Sequence, residues 1–175
     1  MELNQISEAK GKLIVESIDT LLALSDEDLR KDFPLKVYQT GSGTQTNMNC
    51  NEVVAHQAAK LNPGLEILPN DDVNKGQSSN DIFPTAMNIA AADAVAKLEE
   101  SAQHLIDELK KKQEKYWRVV KIGRTHLQDA TPLTFGQEVS GWVSALEHDL
   151  EYLKQLDGTL LKLAMGGTAV GTGLN

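Results

Sequence analysis

The sequence predicts an all-α protein, on three observations. Two long stretches carry apolar residues at helical spacing, a shorter stretch near the N-terminus does the same, and the connections between them are rich in glycine, asparagine and serine. In residues 5–24, Ile6, Ala9, Leu13, Leu21 and Leu24 share one helical face, with Ser17 in the remaining slot. The run SDED from Ser25 and the pair Phe33-Pro34 then break the pattern. Residues 40–80 hold Gly41, Gly43, Pro63, Gly64, Pro69 and Gly76, and only 47–61 has the length for an ordinary helix. The rest of that region reads as loop, of a length and polarity usually tied to function or mobility.

A long helix is predicted over 81–115, capped by Asn80 or Asp81 and with Pro84 in its first turn, where a missing N–H costs little. Val95, Leu98, Ala102, Leu105 and Leu109 repeat at alternating spacings of three and four, as the seam of a helix bundle does. Such a helix is roughly 52 Å long. That is too long for a compact monomer of 175 residues and implies a bundle shared between subunits. Residues 121–134, with Gly123 and Pro132, read as a loop. A second long helix follows over 135–156, with the seam Phe135, Val139, Trp142, Leu146, Leu150 and Leu153. The chain closes on the glycine-rich run GGTAVGTGLN.

Composition narrows the function. A formal net charge of −8 argues against nucleic acid or an anionic membrane surface as a partner, yet leaves room for a local pocket that takes a small anion. No apolar run reaches the roughly 18 residues of a membrane span. Cys50 is the single cysteine, so no internal disulfide can form, and the N-terminal residues have no apolar signal core. Both features fit a cytoplasmic location.

Three polar islands could carry chemistry. In GSGTQTNMNCNE, residues 41–52, glycines permit close backbone approach, Ser42, Thr44 and Thr46 offer hydroxyls, and Asn47, Asn49 and Asn51 offer amides. The island leads into a helix whose N-terminal N–H groups favour an anion. In residues 69–81, PNDDVNKGQSSND, Ser78, Ser79 and Asn80 stand at the start of the long helix, and one cap needs only one such residue. In residues 123–138, GRTHLQDATPLTFGQE, His126 lies beside Thr125 and is suited to proton transfer near neutral pH. Each island also has a plain reading, as capped loops and a structural histidine. No His/Cys cluster has zinc spacing, so no metal is expected.

Taken together and in this order, the islands resemble the class II fumarases of the fumarase/aspartase superfamily. GSGTQTNMN is similar to that family's first signature, QSSNDIFPTAMNIAA to its second and GRTHLQDATPLTFGQEVSGW to its third; GGTAVGTGLN also matches. The resemblance runs from about Asp32 to Asn175. It implies a lyase of the tricarboxylic acid cycle that adds water reversibly to fumarate to give malate, without metal or organic cofactor. It implies that Ser42, Gly43 and Thr44, then Ser78, Ser79 and Asn80, bind substrate carboxylate, that Thr125 holds substrate, and that His126 is the proton donor and acceptor. The family's secondary dicarboxylate site corresponds to Leu68, Pro69, Asn70 and Asp71, where Leu68 replaces a histidine and removes the side-chain donor.

The resemblance further implies a homotetramer whose central helices form one bundle and whose active sites draw on several chains. Residues 1–77 would be the end of a small N-terminal helical domain, and 78–175 the first part, with two long helices, of the central bundle domain. The family's C-terminal signature, a Gly-Ser-Ser-x-Met-Pro-x-Lys-x-Asn loop with the serine taken as base and a substrate-binding lysine, would lie further on. On this expectation the chain is a truncated fragment, inactive alone. Two alternatives stand beside it. An aspartate ammonia-lyase would typically have glutamine in place of His126 and Ser-Thr-Asn in place of Ser78-Ser79-Asn80. A non-catalytic helical fragment would only self-associate through its seams.

Overall fold

The computed structural model describes residues 5–36, 38 and 43–174. The element order is α1 (Glu8–Leu22), α2 (Asp26–Asp32), α3 (Thr44–Leu61), a π-helical turn (Pro69–Val73), α4 (Ser79–Lys115), β1 (Val120–Thr125), β2 (Gln128–Thr134) and α5 (Phe135–Leu160). Helix dominates, as the sequence predicts. The chain divides into two compact units, Met1–Met87 with Leu163–Asn175, and Asn88–Lys162.

In the first unit, α1 begins at Ser7, whose side chain accepts from the Lys10 N–H. Its inner face buries Leu13, Ser17 and Leu21. The Ser17 hydroxyl is tolerated at 0% exposure because it donates to the Leu13 carbonyl at 2.6 Å, one turn back. The SDED break is real but short. Ser25 caps α2 through the Asp28 N–H, and Asp26, Glu27 and Asp28 sit at the positive end of its dipole. On α3 the buried positions are Asn47, Asn51, Ala55 and Ala58, one face at spacings of four, four and three. The alanines let α1 approach, and Leu13, Ala55, Ala58 and Ile67 form the apolar core with Ile14, Leu65 and Val73 around it.

The second unit pairs the body of α4 with α5. Three links fix the two helices as antiparallel: Gly136 N–H to Tyr116 carbonyl at 3.1 Å, Lys110 to Glu147 at 2.6 Å, and Asn88 Nδ2 to Lys162 carbonyl at 3.0 Å. Ile106, Val139, Val143 and Leu150 are buried between them, with Ala102, Leu109 and Leu146 alongside. The expected seams are therefore partly displaced. Leu98 (52% exposed), Leu105 (47%), Phe135 (43%) and Trp142 (54%) lie outside this core, and Ile106 and Val143 are inside it. Each helix carries more than one apolar stripe, and a pattern of threes and fours cannot say which one the partner covers.

Residues 121–134 are not a loop but an antiparallel hairpin. Thr125 pairs with Gln128 and Arg124 with Asp129, and the register then shifts so that Ile122 faces Pro132. Gly123 sits at that shift, where a Cβ would stand 2.6 Å from the Thr131 carbonyl oxygen. Thr134 then caps α5 with a complete capping box: its hydroxyl accepts from the Gln137 N–H at 3.1 Å while the Gln137 side chain accepts from the Thr134 N–H at 2.8 Å.

Candidate active site

The first two islands are joined inside the first unit. Gly43 is the N-cap of α3, with φ of 74°. A Cβ there would lie 2.1 Å from the Phe83 ring, so both backbone and neighbour demand glycine. Thr44 opens α3 on the exposed side. Ser42 lies outside the described residues.

The second island ends in the cap of α4, which is Ser78, two residues before Asn80 and three before Asp81. Ser78 Oγ accepts from the Asn80 N–H at 3.2 Å, and Asp81 Oδ1 accepts from the Ser78 N–H at 2.9 Å. Pro84 accordingly falls inside the helix rather than in its first turn. Asp81 is 2% exposed, and its Oδ2 accepts from the Thr168 N–H at 2.9 Å. Burial pushes the Asp81 carboxyl up, but backbone donors from Ser78, Thr168, Gly166 and Ile82 outweigh it and hold the group below its ordinary value. The glycine-rich tail is thus the partner of the α4 N-terminus. Thr168, with φ of 55°, closes a compact turn by donating to the Gly167 and Leu174 carbonyls, and Asn80 Nδ2 donates to the Ala169 carbonyl at 2.7 Å.

Between α3 and α4 runs a ladder of amides. Asn47 Nδ2 donates to Asn74 Oδ1 and to Ser79 Oγ, both at 3.1 Å. Asn51 Nδ2 donates to the same Asn74 oxygen at 3.0 Å, and Asn74 Nδ2 donates to the Gln77 carbonyl at 3.3 Å. Asn47 and Asn51 are 6% and 5% exposed. Buried amides of this kind need their partners, and together they fix the loop that carries Ser78, Ser79 and Asn80.

Leu68, Pro69, Asn70 and Asp71 enter the π-helical turn. The Leu68 side chain is 40% exposed, its N–H donates to Asp72 Oδ2 at 2.8 Å, and Asn70 donates to Asp71 at 3.1 Å. Asp72 also meets Lys10 at 2.6 Å. Burial raises its carboxyl, and the Leu68 N–H with Lys10 brings it below the ordinary value. A cleft of 290 Å³ beside the turn is lined by Asn70, Asp71, Asn74, Lys75, Gly76 and Gln77.

The third island belongs to the second unit. Thr125 ends β1, and His126 and Leu127 make the two-residue turn of the hairpin, at φ of 50° and 60°. Two positive φ values match the twist of a tight hairpin, but asparagine and glycine usually supply them. The imidazole stands exposed at the tip, reachable by solvent or ligand. Among the described residues no three His, Cys, Asp or Glu side chains gather as a metal site, and no helix is long and apolar enough to cross a membrane.

Sequence reasoning offered Asn47 as an amide donor and Asp81 as a helix cap, but did not single out Asn74 or the buried ladder it joins. The signal was present: Asn47 and Asn51 lie four apart and continue the face of Ala55 and Ala58, and amides on an apolar face imply buried partners.

A family model described as lyase matches residues 1–175. The chain is 51% identical to a class II fumarate hydratase of Myxococcus xanthus over 187 aligned residues, and 52% identical to one of Staphylococcus haemolyticus over 179. These alignments take in 100% and 99% of this chain, which spans 38% of the length of each relative. Among solved structures, a class II fumarase from Schistosoma mansoni superposes with a TM-score of 0.80 at 47% identity, over 99% of this chain and 37% of that one. The chain belongs to the lyase family, and its fold is that of the matching stretch of the class II fumarases.

Proposed function

We propose that this chain supplies the carboxylate-binding loops and the proton carrier of a fumarate hydratase, which adds water to fumarate to give malate and runs the reverse reaction. The observation that carries the reading is identity of about half the residues, across the whole chain, with class II fumarate hydratases. On this reading Ser42, Gly43, Thr44, Ser78, Ser79 and Asn80 hold substrate carboxylate through hydroxyl, amide and helix N-terminal N–H donors. Thr125 holds substrate, and His126 takes or gives a proton, directly or through one water. Removing the proton beside a malate carboxylate loads negative charge onto that carboxylate, which donors fixed in advance stabilise. Leu68 to Asp71 would offer a second dicarboxylate only the Asn70 amide and backbone donors.

In the whole protein, residues 1–77 would close an N-terminal domain and 78–175 open the central bundle, in a cytoplasmic homotetramer of the tricarboxylic acid cycle. Exposed Leu98, Leu105, Trp142 and Leu156 support self-association. Sedimentation equilibrium at micromolar concentration should show species heavier than 19.1 kDa, and a clean monomer would overturn that part.

The activity is tested by a chimera in which these residues replace the matching stretch of the Staphylococcus haemolyticus enzyme. It should interconvert fumarate and malate, and the 175-residue chain alone should not. A folded chimera that deaminates aspartate and leaves malate untouched would favour the ammonia-lyase alternative. His126, where those enzymes typically have glutamine, and Ser79 in the second loop support the hydratase.

A further inference from the structure

We propose that Asn47 is a positioning residue that holds the Ser79 hydroxyl as a hydrogen-bond donor toward the substrate carboxylate. The inference rests on the hydratase reading above, which gives Asn47 no substrate contact, and goes beyond it.

The argument starts from a group whose polarity is fixed. The Gln77 carbonyl can only accept, so the Asn74 side-chain group facing it at 3.3 Å is the NH₂. Asn74 therefore turns its oxygen to α3, where it accepts from Asn47 at 3.1 Å and Asn51 at 3.0 Å. Asn47 must then present its own NH₂. One N–H goes to Asn74, and the other goes to Ser79 Oγ at 3.1 Å. Ser79 accepts at that contact, so its single O–H points elsewhere. Among the described residues it has no acceptor.

A carboxylate is acceptor-only, so it binds a hydroxyl only when that hydroxyl donates. A serine left to itself rotates between donor and acceptor roles. Here a chain of three amides, anchored on a backbone carbonyl and buried at 6% and 5% exposure on α3, settles the choice before substrate arrives. The bond donated by Asn47 also polarises the Ser79 O–H and strengthens what it donates onward.

The test is a mutant cycle in the active full-length enzyme that carries this stretch. Asn47→Asp keeps the shape and reverses the polarity, and Asn47→Ala removes the donor without burying a charge. Each is measured with Ser79 intact and in a Ser79→Ala background, with folding checked by thermal unfolding. With Ser79 present, either change should lower kcat/KM for fumarate by about tenfold, the worth of one hydrogen bond. In the Ser79→Ala background the same change should have almost no effect. Asn51→Ala removes one bond of the ladder but leaves the Asn47–Ser79 bond in place, so its loss should be smaller than that of Asn47→Ala. Equal losses in both backgrounds, or a loss from Asn51→Ala as large as that from Asn47→Ala, would show a merely structural ladder and overturn the proposal. A Ser79→Ala enzyme with unchanged kcat/KM would instead remove Ser79 from the substrate site, and the relay with it.

Discussion

In the unit formed by Met1–Met87 and Leu163–Asn175, polar side chains are buried: Ser17, Asn47, Asn51, Asp81, Thr85 and Thr168. In the unit Asn88–Lys162, the buried side chains among the described residues are apolar: Ile106, Val139, Val143 and Leu150. The first unit uses hydrogen bonds to fix loops that an apolar core could not hold in one shape. The second uses a plain apolar contact to hold two long helices, and it places His126, the proposed proton carrier, at the tip of a hairpin. Around the proposed carboxylate-binding loops the chain buries amides and a carboxylate, and the proposed proton carrier it leaves exposed.

The sharpest way to break this contrast is at the exposed tip. In the full-length enzyme, His126→Asn should lower kcat by about 10²–10⁴, the range for a general acid–base group. Its thermal stability should stay near that of the parent, because the exposed side chain gives up little burial. A mutant with unchanged turnover would refute the proton-carrier role.

The apolar unit should respond in the opposite way. Ile106 is 1% exposed, and Ile106→Ala should cost about 2–5 kcal/mol of stability through lost burial and the cavity left behind. Urea unfolding of the same enzyme checks this, and a loss below about 1 kcal/mol would mean that the contact with α5 is looser than the structure shows.

The polar unit should show a smaller loss with a pH signature. The Asp81 pKa is lowered in the folded protein, so the stability it contributes is complete above the ordinary carboxylate value of 3.8. It is lost as pH falls through the folded value. Asp81→Asn places an NH₂ or a weaker acceptor against backbone N–H donors, and should cost about 1–3 kcal/mol near neutral pH. Below about pH 4 the difference from the parent should shrink. A constant difference across the whole acid range would show that the carboxylate charge plays no part.

Much of the fold could be read from the sequence because helical spacing is local. Leu13 and Ser17 fell on the face they occupy, and both long helices began within two residues of their predicted starts. What could not be read depends on partners distant in sequence. The choice of Ile106 over Leu105 is made by α5, and the burial of Asp81 by a tail 87 residues away. The hairpin over 121–134 escaped because Gly123 and Pro132 are ordinary loop residues, and His126-Leu127 lacks the usual turn chemistry. Of the candidate site, the islands marked the polar segments, but the amide ladder between α3 and α4 appears only once Asn74 is brought against α3.

That unusual turn allows the finest test of the contrast. Leu127 has φ of 60° and a fully exposed side chain, so it holds a costly backbone conformation and gains no burial in return within this chain. Leu127→Gly relieves the left-handed strain, worth about 1–2 kcal/mol, while the freer unfolded chain takes back roughly 0.5–1 kcal/mol. The net should be a gain of about 1 kcal/mol or less. If the strain serves only to shape the hairpin, kcat should stay unchanged as stability rises. If it holds His126 in its working orientation, a more flexible turn should lower kcat severalfold at the same time, separating stability from activity at one position. A destabilised Leu127→Gly protein would mean that the leucine side chain is buried in the assembled enzyme, and the hairpin tip would then be a contact surface.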